Sequence, residues 1–307
     1  MNIIALIAAL LLIYYRPLAD PDWLKKVYIP FSAFLEHTFN GGKNLHGIVA
    51  WIIGVLLPVF TIGFIYFYLI YSVNIALGIL FGVLVLYLTL RFSQFGRRAE
   101  DIATALRNQN ILEARTLLAE WEGEETSHYN VTQVASVCIE TTFRRAHQGL
   151  FAPIFWFIFL GPAGALLYRL THILKTQWSS QNRNENEFNM FSQKVFNWLD
   201  WLPAHFTAGG FAIVGDFEDA AYCWRTQAHT WPDQSLGIVL SSGAGALEVK
   251  LCETLPQRGI LISRPELGVG DEADADYIQG AVGLIWRVLL MMVGMLLLLT
   301  FAHWLGH

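Results

Sequence analysis

The segment that most restricts the fold is residues 150–174, LFAPIFWFIFLGPAGALLYRLTHIL, an apolar stretch with Gly161-Pro162 near its centre. A hydrocarbon core about 30 Å thick is crossed by roughly 20 apolar residues in a helix, so this segment is long enough to span a bilayer. Glycine and proline both interrupt a helix. The pattern therefore predicts two half-helices, or a re-entrant element that lines a cavity.

Further apolar stretches are predicted to be membrane spans. They are residues 3–15, 49–71, 73–92 and 281–305. The second and third are separated by a short turn near Ser72 and should form a hairpin, with a kink at Pro58. The first is short, but it lacks the basic start and small-residue cleavage site of a signal peptide and is interpreted as a retained span. The predicted fold is an all-α polytopic membrane protein, with residues 1–305 as one membrane-embedded domain.

The composition agrees with a membrane location. Apolar residues make up 54 % of the chain and charged residues 15 %, whereas soluble domains carry roughly 25 % charge. The net charge of −5 argues against a nucleic-acid partner, which would need a clustered positive surface. Cys138, Cys223 and Cys252 have neither paired nor metal-type spacing and are expected to be unpaired thiols.

Basic residues near the span ends indicate the orientation, because loops rich in Lys and Arg stay on the cytoplasmic side. Residues 93–149 carry several arginines and are predicted to be cytoplasmic and helical. Residues 175–280 are also basic and are predicted to be mostly helical. A re-entrant 150–174 keeps both regions on one side of the membrane, and it is therefore favoured over a simple crossing.

Local signals place several helix boundaries in these two regions. Asn108-Gln109-Asn110 is predicted to turn a short helical hairpin, and Asn130 to cap a helix over residues 131–146. A helix over residues 188–201 is predicted to end at Pro203.

Two features suggest chemistry before any family is considered. One is a set of carboxylates, Asp216, Glu218 and Asp219; the other is a run of small residues, 241–246, that includes Gly243 and Gly245. The carboxylates could bind a divalent cation, or they could be solvated acids favoured at a helix start. The small residues could bring backbone amides to a phosphate, or they could pack tightly against a helix. The histidines show no metal spacing.

Several blocks, taken in order, resemble the CobD/CbiB proteins of cobalamin synthesis and their paralogue AmpE. The central block comprises Glu140-Thr141, Gly149, residues 152–156, Gly161-Pro162 and Tyr168-Arg169. The later blocks are residues 198–204, 243–247, 264–268 and 276–278.

The resemblance implies a multi-pass protein of the bacterial inner membrane. Such proteins join adenosylcobyric acid to aminopropanol or its phosphate by ATP-dependent amide ligation. It would make ATP and Mg²⁺ the expected cofactors, a corrinoid a possible ligand beside the lipid bilayer, and Glu140 the candidate catalytic residue.

The chain departs from the family pattern where that chemistry is expected. The replaced positions are Arg144, Arg145, Gln148, His172, Lys175, Thr176, Phe196, Asn197 and His205. An Arg or Lys in place of an acid cannot hold Mg²⁺, and the charge reversal favours an anion. The candidate anion-binding residues are therefore Arg144, Arg145, Arg169 and Lys175, with Gly243 and Gly245 as backbone donors. Loss of the original activity is the simpler inference.

The sequence thus leaves three hypotheses for the function. The first is a ligase with a rebuilt site, whose metal is held by Asp216, Glu218 and Asp219. The second is a non-catalytic membrane protein like AmpE, which is associated with the β-lactamase-inducing response. The third is a carrier or sensor of an anionic ligand.

Overall fold

A computed structural model describes residues 2–18, 23–41, 44–181, 187–251, 254–257 and 260–305. The helices are α1 Asn2–Tyr15, α2 Trp23–Phe39, α3 Asn44–Trp51, α4 Leu57–Tyr68, α5 Ile75–Thr89, α6 Phe92–Arg107, α7 Ile111–Glu122, α8 Val131–Ala146, α9 Ala152–Leu160, α10 Pro162–Gln181, α11 Glu187–Val214, α12 Phe217–Gln227, α13 Gln234–Ala246 and α14 Ala275–Leu305. Single π-helical turns occupy Ile52–Leu56, Leu69–Val73 and His147–Phe151. The strands are β1 Val249–Lys250, β2 Thr254–Gln257, β3 Ile260–Ser263 and β4 Asp271–Glu272.

The chain forms two compact units. Unit 1 comprises residues 1–92 and 149–203, and unit 2 comprises residues 93–148 and 204–307. Both units are built mainly from helices, which confirms the predicted all-α class. The expectation that residues 175–280 are mostly helical needs one correction.

The correction concerns the segment between α13 and α14, which forms short strands. β1 pairs in parallel with β4, and β2 pairs with β3 as an antiparallel hairpin. Gly268 and Gly270 have φ angles of +88° and +91°, which do not fit a helix. Pro265 further disfavours helical continuation. Cys252 lies outside the described residues, as do residues 253, 258 and 259.

Two helical stretches of the described chain are long and apolar enough to cross a membrane, Asn44–Val73 and Ala275–Ala302. The predicted spans 49–71 and 281–305 lie largely within them. The other two predicted spans are shorter apolar helices, Ile3–Tyr15 and Ile75–Thr89.

The helix at the predicted span 73–92 is shorter than that span at both ends. The chain turns at Asn74, close to Ser72 as predicted, and the Asn74 side chain accepts the backbone N–H of Ala76 at 2.8 Å and caps α5. At the other end, Leu90 is extended and stops the helix after Thr89.

Several large apolar side chains of α4 are exposed on its outer surface, which is unfavourable in water. Phe60 and Phe64 of α4, and Tyr71 in the π-helical turn that follows, are each more than 70 % exposed, and Phe64 stacks on Tyr68. A continuous aromatic surface of this kind is typical of a helix in contact with lipid or with another protein.

Residues 150–174 lie in a helical hairpin with a break at Gly161, where the sequence predicts an interruption. The chain reverses at Gly161, whose φ of +62° is readily adopted only by glycine. The arms α9 and α10 then pack side by side: Ala152 clusters with Tyr168. A Cβ atom on Gly164 would lie 2.2 Å from the carbonyl oxygen of Trp156. The position of this hairpin relative to a bilayer stays a prediction.

Prolines organise the polar contacts of unit 1. A proline in a helix has no N–H, so the carbonyl oxygen four residues earlier loses its usual partner. Pro58 removes the usual donor to the Gly54 carbonyl oxygen, and the Tyr28 hydroxyl donates to that oxygen at 2.5 Å. The helix is irregular just before Pro58, where residues Ile52–Leu56 form a π-helical turn. A bond from α2 therefore replaces the one that the proline removes.

The same arrangement recurs at Pro153. The Gly149 carbonyl, four residues earlier, accepts the backbone N–H of Arg91 at 3.0 Å. A π-helical turn, His147–Phe151, again precedes the proline. The extended residues after α5 thus supply the missing donor, which gives a physical reason for the early end of that helix.

Pro203 is the third case, and it corrects the prediction that a helix ends there. α11 continues through Pro203 to Val214. The Leu199 carbonyl, freed by the proline, accepts the indole N–H of Trp156 at 3.0 Å. Because α9 satisfies this oxygen, the proline is tolerated inside the helix.

A double-mutant cycle tests this role of Trp156. Trp156→Phe removes the indole donor and should destabilise the protein by about 1–3 kcal/mol, because the Leu199 carbonyl is left without a partner. In a Pro203→Ala background the helix regains its own N–H, so the same change should cost less. The measurement is the thermal unfolding midpoint of the four proteins in detergent.

Trp198→Phe is the matched control, because Trp198 also lies on α11 and is 84 % exposed. It should change stability little in either background. Equal costs of Trp156→Phe with and without Pro203 would contradict the assigned hydrogen bond.

Candidate functional site

The candidate site is built around α8 in unit 2. Asn130 caps this helix and forms a reciprocal capping box with Gln133, as the sequence predicts. Nearly every residue from Val134 to Phe143 is buried, so the helix packs on all sides. A charged side chain on such a helix must find a partner on another element.

The first charge pair joins Arg144 to Glu122 at the end of α7. One terminal nitrogen of Arg144 lies 2.6 Å from both carboxylate oxygens of Glu122, and the Thr141 hydroxyl donates to the same carboxylate. Burial alone would raise the pKa of Glu122. The attraction of Arg144 and the hydrogen bonds outweigh burial, so the pKa lies below its ordinary value and Glu122 is ionised.

The second pair joins Glu140 to Arg264. The Arg264 guanidinium donates to Oε2 of Glu140, and its carbon lies 4.8 Å from the ring centre of Trp231. Glu140 is only 8 % exposed. Burial raises the pKa of Glu140 above its ordinary value, and Arg264 offsets this in part.

One oxygen of Glu140 is left over. Oε1 is buried and has no hydrogen-bond partner among the described residues. A buried acceptor without a donor carries a desolvation cost of about 1–3 kcal/mol.

The loop that carries Arg264 is held by Gln227. Its side-chain amide accepts the N–H of Gly268 at 2.7 Å and donates to the carbonyl of the same residue at 3.0 Å. A Cβ atom at Gly268 would lie 1.9 Å from the Val249 carbonyl oxygen. Only glycine therefore fits at the end of residues 264–268, one of the blocks that carry the family resemblance.

A cavity of about 270 Å³ lies beside these pairs. Its charged lining consists of Glu122, Glu124, Glu140, Arg144 and Arg264, and its apolar lining includes Val137, Trp231, Leu236, Leu240 and Leu255. The lining also includes Thr126, Tyr129 and Thr141. The cavity combines a few polar groups with apolar walls, which is typical of a small-molecule site.

The segment between α7 and α8 closes one side of the cavity and is tied to Arg115. The Arg115 side chain donates to the Tyr129 carbonyl at 2.6 Å, and the Thr126 hydroxyl donates to the Arg115 carbonyl at 2.7 Å. These bonds fix Thr126 and Tyr129 in the lining.

The structure places the predicted anion-binding residues in different settings. Arg144 lines the cavity but is held by Glu122. Arg145 donates to the Trp121 carbonyl and lies 5.4 Å from the ring centre of that tryptophan, which anchors α8 to α7. Burial lowers the pKa of Arg145 to about 10. Neither arginine stands in the cavity as an unpaired cation.

Arg169 and Lys175 belong to unit 1. Arg169 is buried in α10. Lys175 lies over the ring of Phe196, 4.4 Å from its centre, and donates to Asn197 at 3.3 Å. Their predicted role in binding an anion stays a prediction.

The two glycines predicted to contact a phosphate lie inside α13. A Cβ atom on Gly243 would lie 2.8 Å from the Phe143 ring, and one on Gly245 would lie 2.4 Å from the Asp219 carbonyl oxygen. Close helix packing, the alternative stated above, accounts for both positions. The helix bonds of α13 already occupy most of its backbone amides.

The three predicted metal-binding acids are at the start of α12. Asp216 is the N-cap, and its side chain accepts the backbone N–H of Asp219 at 2.9 Å. Glu218 and Asp219 occupy the first turn, where negative charge is favoured. No group of three or more His, Cys, Asp or Glu in the described part of the chain is arranged to hold a metal. The metal prediction therefore gains no support here.

The sequence analysis missed Glu122 and Trp231, and it noted Arg264 only within a family block. The sequence held only a weak signal that these residues belong to the site. Glu122 ends a helix that precedes a half-buried arginine, but sequence alone does not reveal which charges will meet across 22 or 124 positions.

Comparison with known proteins gives consistent matches. The family model described as "CobD/Cbib protein" matches residues 6–285. A cobalamin biosynthesis protein CobD of Stutzerimonas stutzeri is 34 % identical, covering 88 % of each chain. One of Halalkalibacterium halodurans is 26 % identical over 97 % of this chain and 96 % of its own. No solved structure matches.

The Glu122–Arg144 pair leads to a pH-dependent prediction. Arg144→Gln should lower the free energy of unfolding by about 2 kcal/mol at neutral pH, because it leaves a buried carboxylate without its charged donor. Since the folded-state pKa of Glu122 is lowered, its contribution is complete above about pH 4.3 and is lost as the pH falls through the folded pKa. The cost of the variant should therefore shrink toward acidic pH. Unfolding midpoints measured across pH test this.

Arg107→Gln is the control, since Arg107 pairs with Asp276 on the surface. Exposed pairs contribute about 0–1 kcal/mol, so this change should have a small effect. An Arg144→Gln effect as small as that of the control, or equal at pH 4 and pH 8, would contradict the assignment.

Proposed function

The chain belongs to the CobD/CbiB family, and we propose that it serves cobalamin biosynthesis by joining an amine to a corrinoid carboxylate in an ATP-dependent amide ligation. The observation that carries this proposal is the location of the cavity. Every residue named in its lining lies within residues 6–285, the part that the family model matches. The two curated relatives described above bear the name of this pathway.

The contacts of Arg144 and Arg145 bear on whether ligase activity is retained. Both replace family positions, and the sequence alone favours loss of activity because of them. Arg144 nevertheless neutralises Glu122 at the end of α7, and Arg145 donates to the Trp121 carbonyl. Both arginines therefore support a structural role in joining α8 to α7, and Glu140 still lines the cavity.

The carboxylates of the cavity are not arranged to hold the Mg²⁺ expected for such a ligation. Glu122 and Glu140 are each paired with an arginine, which disfavours a divalent cation at either carboxylate. The acids of residues 216–219 begin a helix. The cavity as described does not fit Mg²⁺, and no step of the proposal passes through a metal or nucleotide at these residues.

The membrane location proposed for this activity is a bacterial inner membrane, crossed more than once. The two long apolar helices and the exposed aromatic side chains of α4 support it. The basic residues in 93–149 support a cytoplasmic location for that region. The hairpin at Gly161 supports a re-entrant element, because its two arms return to the side from which they start.

A second candidate is a non-catalytic role like that of AmpE. Its support is the set of replaced polar positions in unit 1, where His172 and Lys175 stand at family Asn and Asp positions. A genetic test separates it from the ligase.

Complementation of a bacterial strain that lacks adenosylcobinamide-phosphate synthase, on medium with cobyric acid, tests the proposal. The wild-type chain should restore growth. Glu140→Gln, which keeps the shape but removes the carboxylate, should reduce growth to that of the empty vector. Glu120→Gln changes an exposed carboxylate of α7 that does not line the cavity, and it should grow as the wild type.

Membrane levels of all three proteins would be matched by immunoblotting. Failure of the wild-type chain to support growth at normal membrane levels would contradict the ligase and favour the non-catalytic candidate.

A further inference from the structure

The exposed side of α11 changes from polar to apolar at Trp198. Before this point, Lys194 and Asn197 are exposed polar residues of the helix. After it, the exposed large side chains are apolar, and they recur at the spacings that place residues on one side of a helix. We call this set the α11 stripe: Trp198, Trp201, Leu202, Phe206 and Ile213. Trp198 is its most exposed member, at 84 %.

The polar groups of the same stretch are turned into the protein. Asp200, the charged residue between Trp198 and Ile213, is buried and accepts the Tyr168 hydroxyl at 2.5 Å. Thr207 is also buried, and its hydroxyl lies 2.9 Å from Nδ1 of His147. A helix in water shows its polar residues outside and its apolar residues inside. This stretch of α11 does the reverse, which is typical of a helix whose surroundings are lipid.

The stripe is open along its length. A Cβ atom on Gly209, which lies on the same side of the helix, would meet nothing within 4 Å. His205 also lies on this side, but it is half-buried and its ring centre is 5.5 Å from that of Trp224. At 1.5 Å per residue, the stripe is about 22 Å long. A hydrocarbon core about 30 Å thick is longer than that, so the stripe fits along a membrane surface better than across it.

The second half of α11 packs against a helix that shows the same change from polar to apolar. α14 is long and apolar enough to cross a membrane. Its exposed side chains include Asp276, Gln279 and Arg287 before the change, and Leu290, Leu298 and Phe301 after it. A Cβ atom on Gly210 of α11 would lie 2.7 Å from Cγ1 of Val288 and 3.8 Å from Cε of Met291. Within unit 2, α11 therefore meets α14 where the candidate span begins, which favours lipid over water around the stripe.

We infer that α11 lies in the membrane–water interface and that its stripe contacts the lipid of one leaflet. Trp198 and Trp201 then lie at the level of the headgroups, where tryptophan is enriched, and Lys194 lies in water. The inference rests on the proposed membrane location and adds a helix to it. The sequence places α11 in a cytoplasmic region, because the residues on its buried side lower the average hydropathy of the segment.

Site-directed spin labelling of the full chain in lipid nanodiscs tests the inference. A nitroxide is attached to Leu202→Cys, Phe206→Cys or Ile213→Cys, and its collisions with oxygen, which concentrates in lipid, are compared with those of a water-soluble nickel chelate. The ratio of oxygen to nickel collisions should be several-fold higher at these positions than at Lys194→Cys. Lys194 is the matched control, because it is exposed on the same side of α11, one turn before Trp198. The unsubstituted chain, labelled in parallel, gives the background from its own three cysteines.

Phe64→Cys on α4 separates this inference from the proposed membrane location. Oxygen access at Phe64, with nickel access along the stripe equal to that at Lys194, would overturn the interfacial helix and leave α4 in lipid. Nickel access at Phe64 as well would overturn the membrane location together with the inference. None of these results depends on ligase activity, so failure of complementation is a distinct outcome.

A second copy of the chain could also cover the stripe, and the same labels detect it. Few collisions with either reagent, together with spin–spin broadening, would assign the stripe to such an interface and overturn the contact with lipid. The three labelled positions are all exposed and are tested independently. The comparison therefore stands if one variant fails to fold.

Discussion

Unit 2 depends on the cost of burying charge on α8. Glu140 is buried on this helix and Arg144 is half-buried near its end, so each is stabilised by an opposite charge from elsewhere in the unit. Glu122 at the end of α7 and Arg264 in the loop before β4 supply these charges. The two pairs thus hold the end of α7 and the Arg264 loop against α8, and the cavity lies between these elements.

In unit 1, the groups that need partners from other segments are backbone carbonyl oxygens. Pro58, Pro153 and Pro203 each free a carbonyl oxygen that needs a donor from elsewhere. A tyrosine hydroxyl, a backbone N–H and an indole N–H on other segments take these three oxygens. Interruptions that would weaken isolated helices therefore become the contacts that join them. In both units, polar groups that cannot remain unpaired specify which elements pack together.

Local signals made part of this fold predictable. Asn130 as a cap, the reversal at Gly161 and the turn at residues 108–110 each depend on a few neighbouring residues. The continuation of α11 through Pro203 was not predictable, because it depends on Trp156, 43 positions away. The site was predictable only at Glu140 and Arg144. Their partners, and the packing role of Gly243 and Gly245, follow from tertiary contacts that no local pattern encodes.

The central claim is that the Glu140–Arg264 pair builds the wall of the cavity, and a double-mutant cycle with Glu140→Gln and Arg264→Gln tests it most directly. The free energy of unfolding of the four proteins gives the coupling between the two side chains. Contacting charged residues in a shared network show coupling of about 0.5–3 kcal/mol, and for a pair this buried we predict a value in the upper half of that range. Additive effects of the two substitutions, within about 0.3–0.5 kcal/mol, would contradict the account.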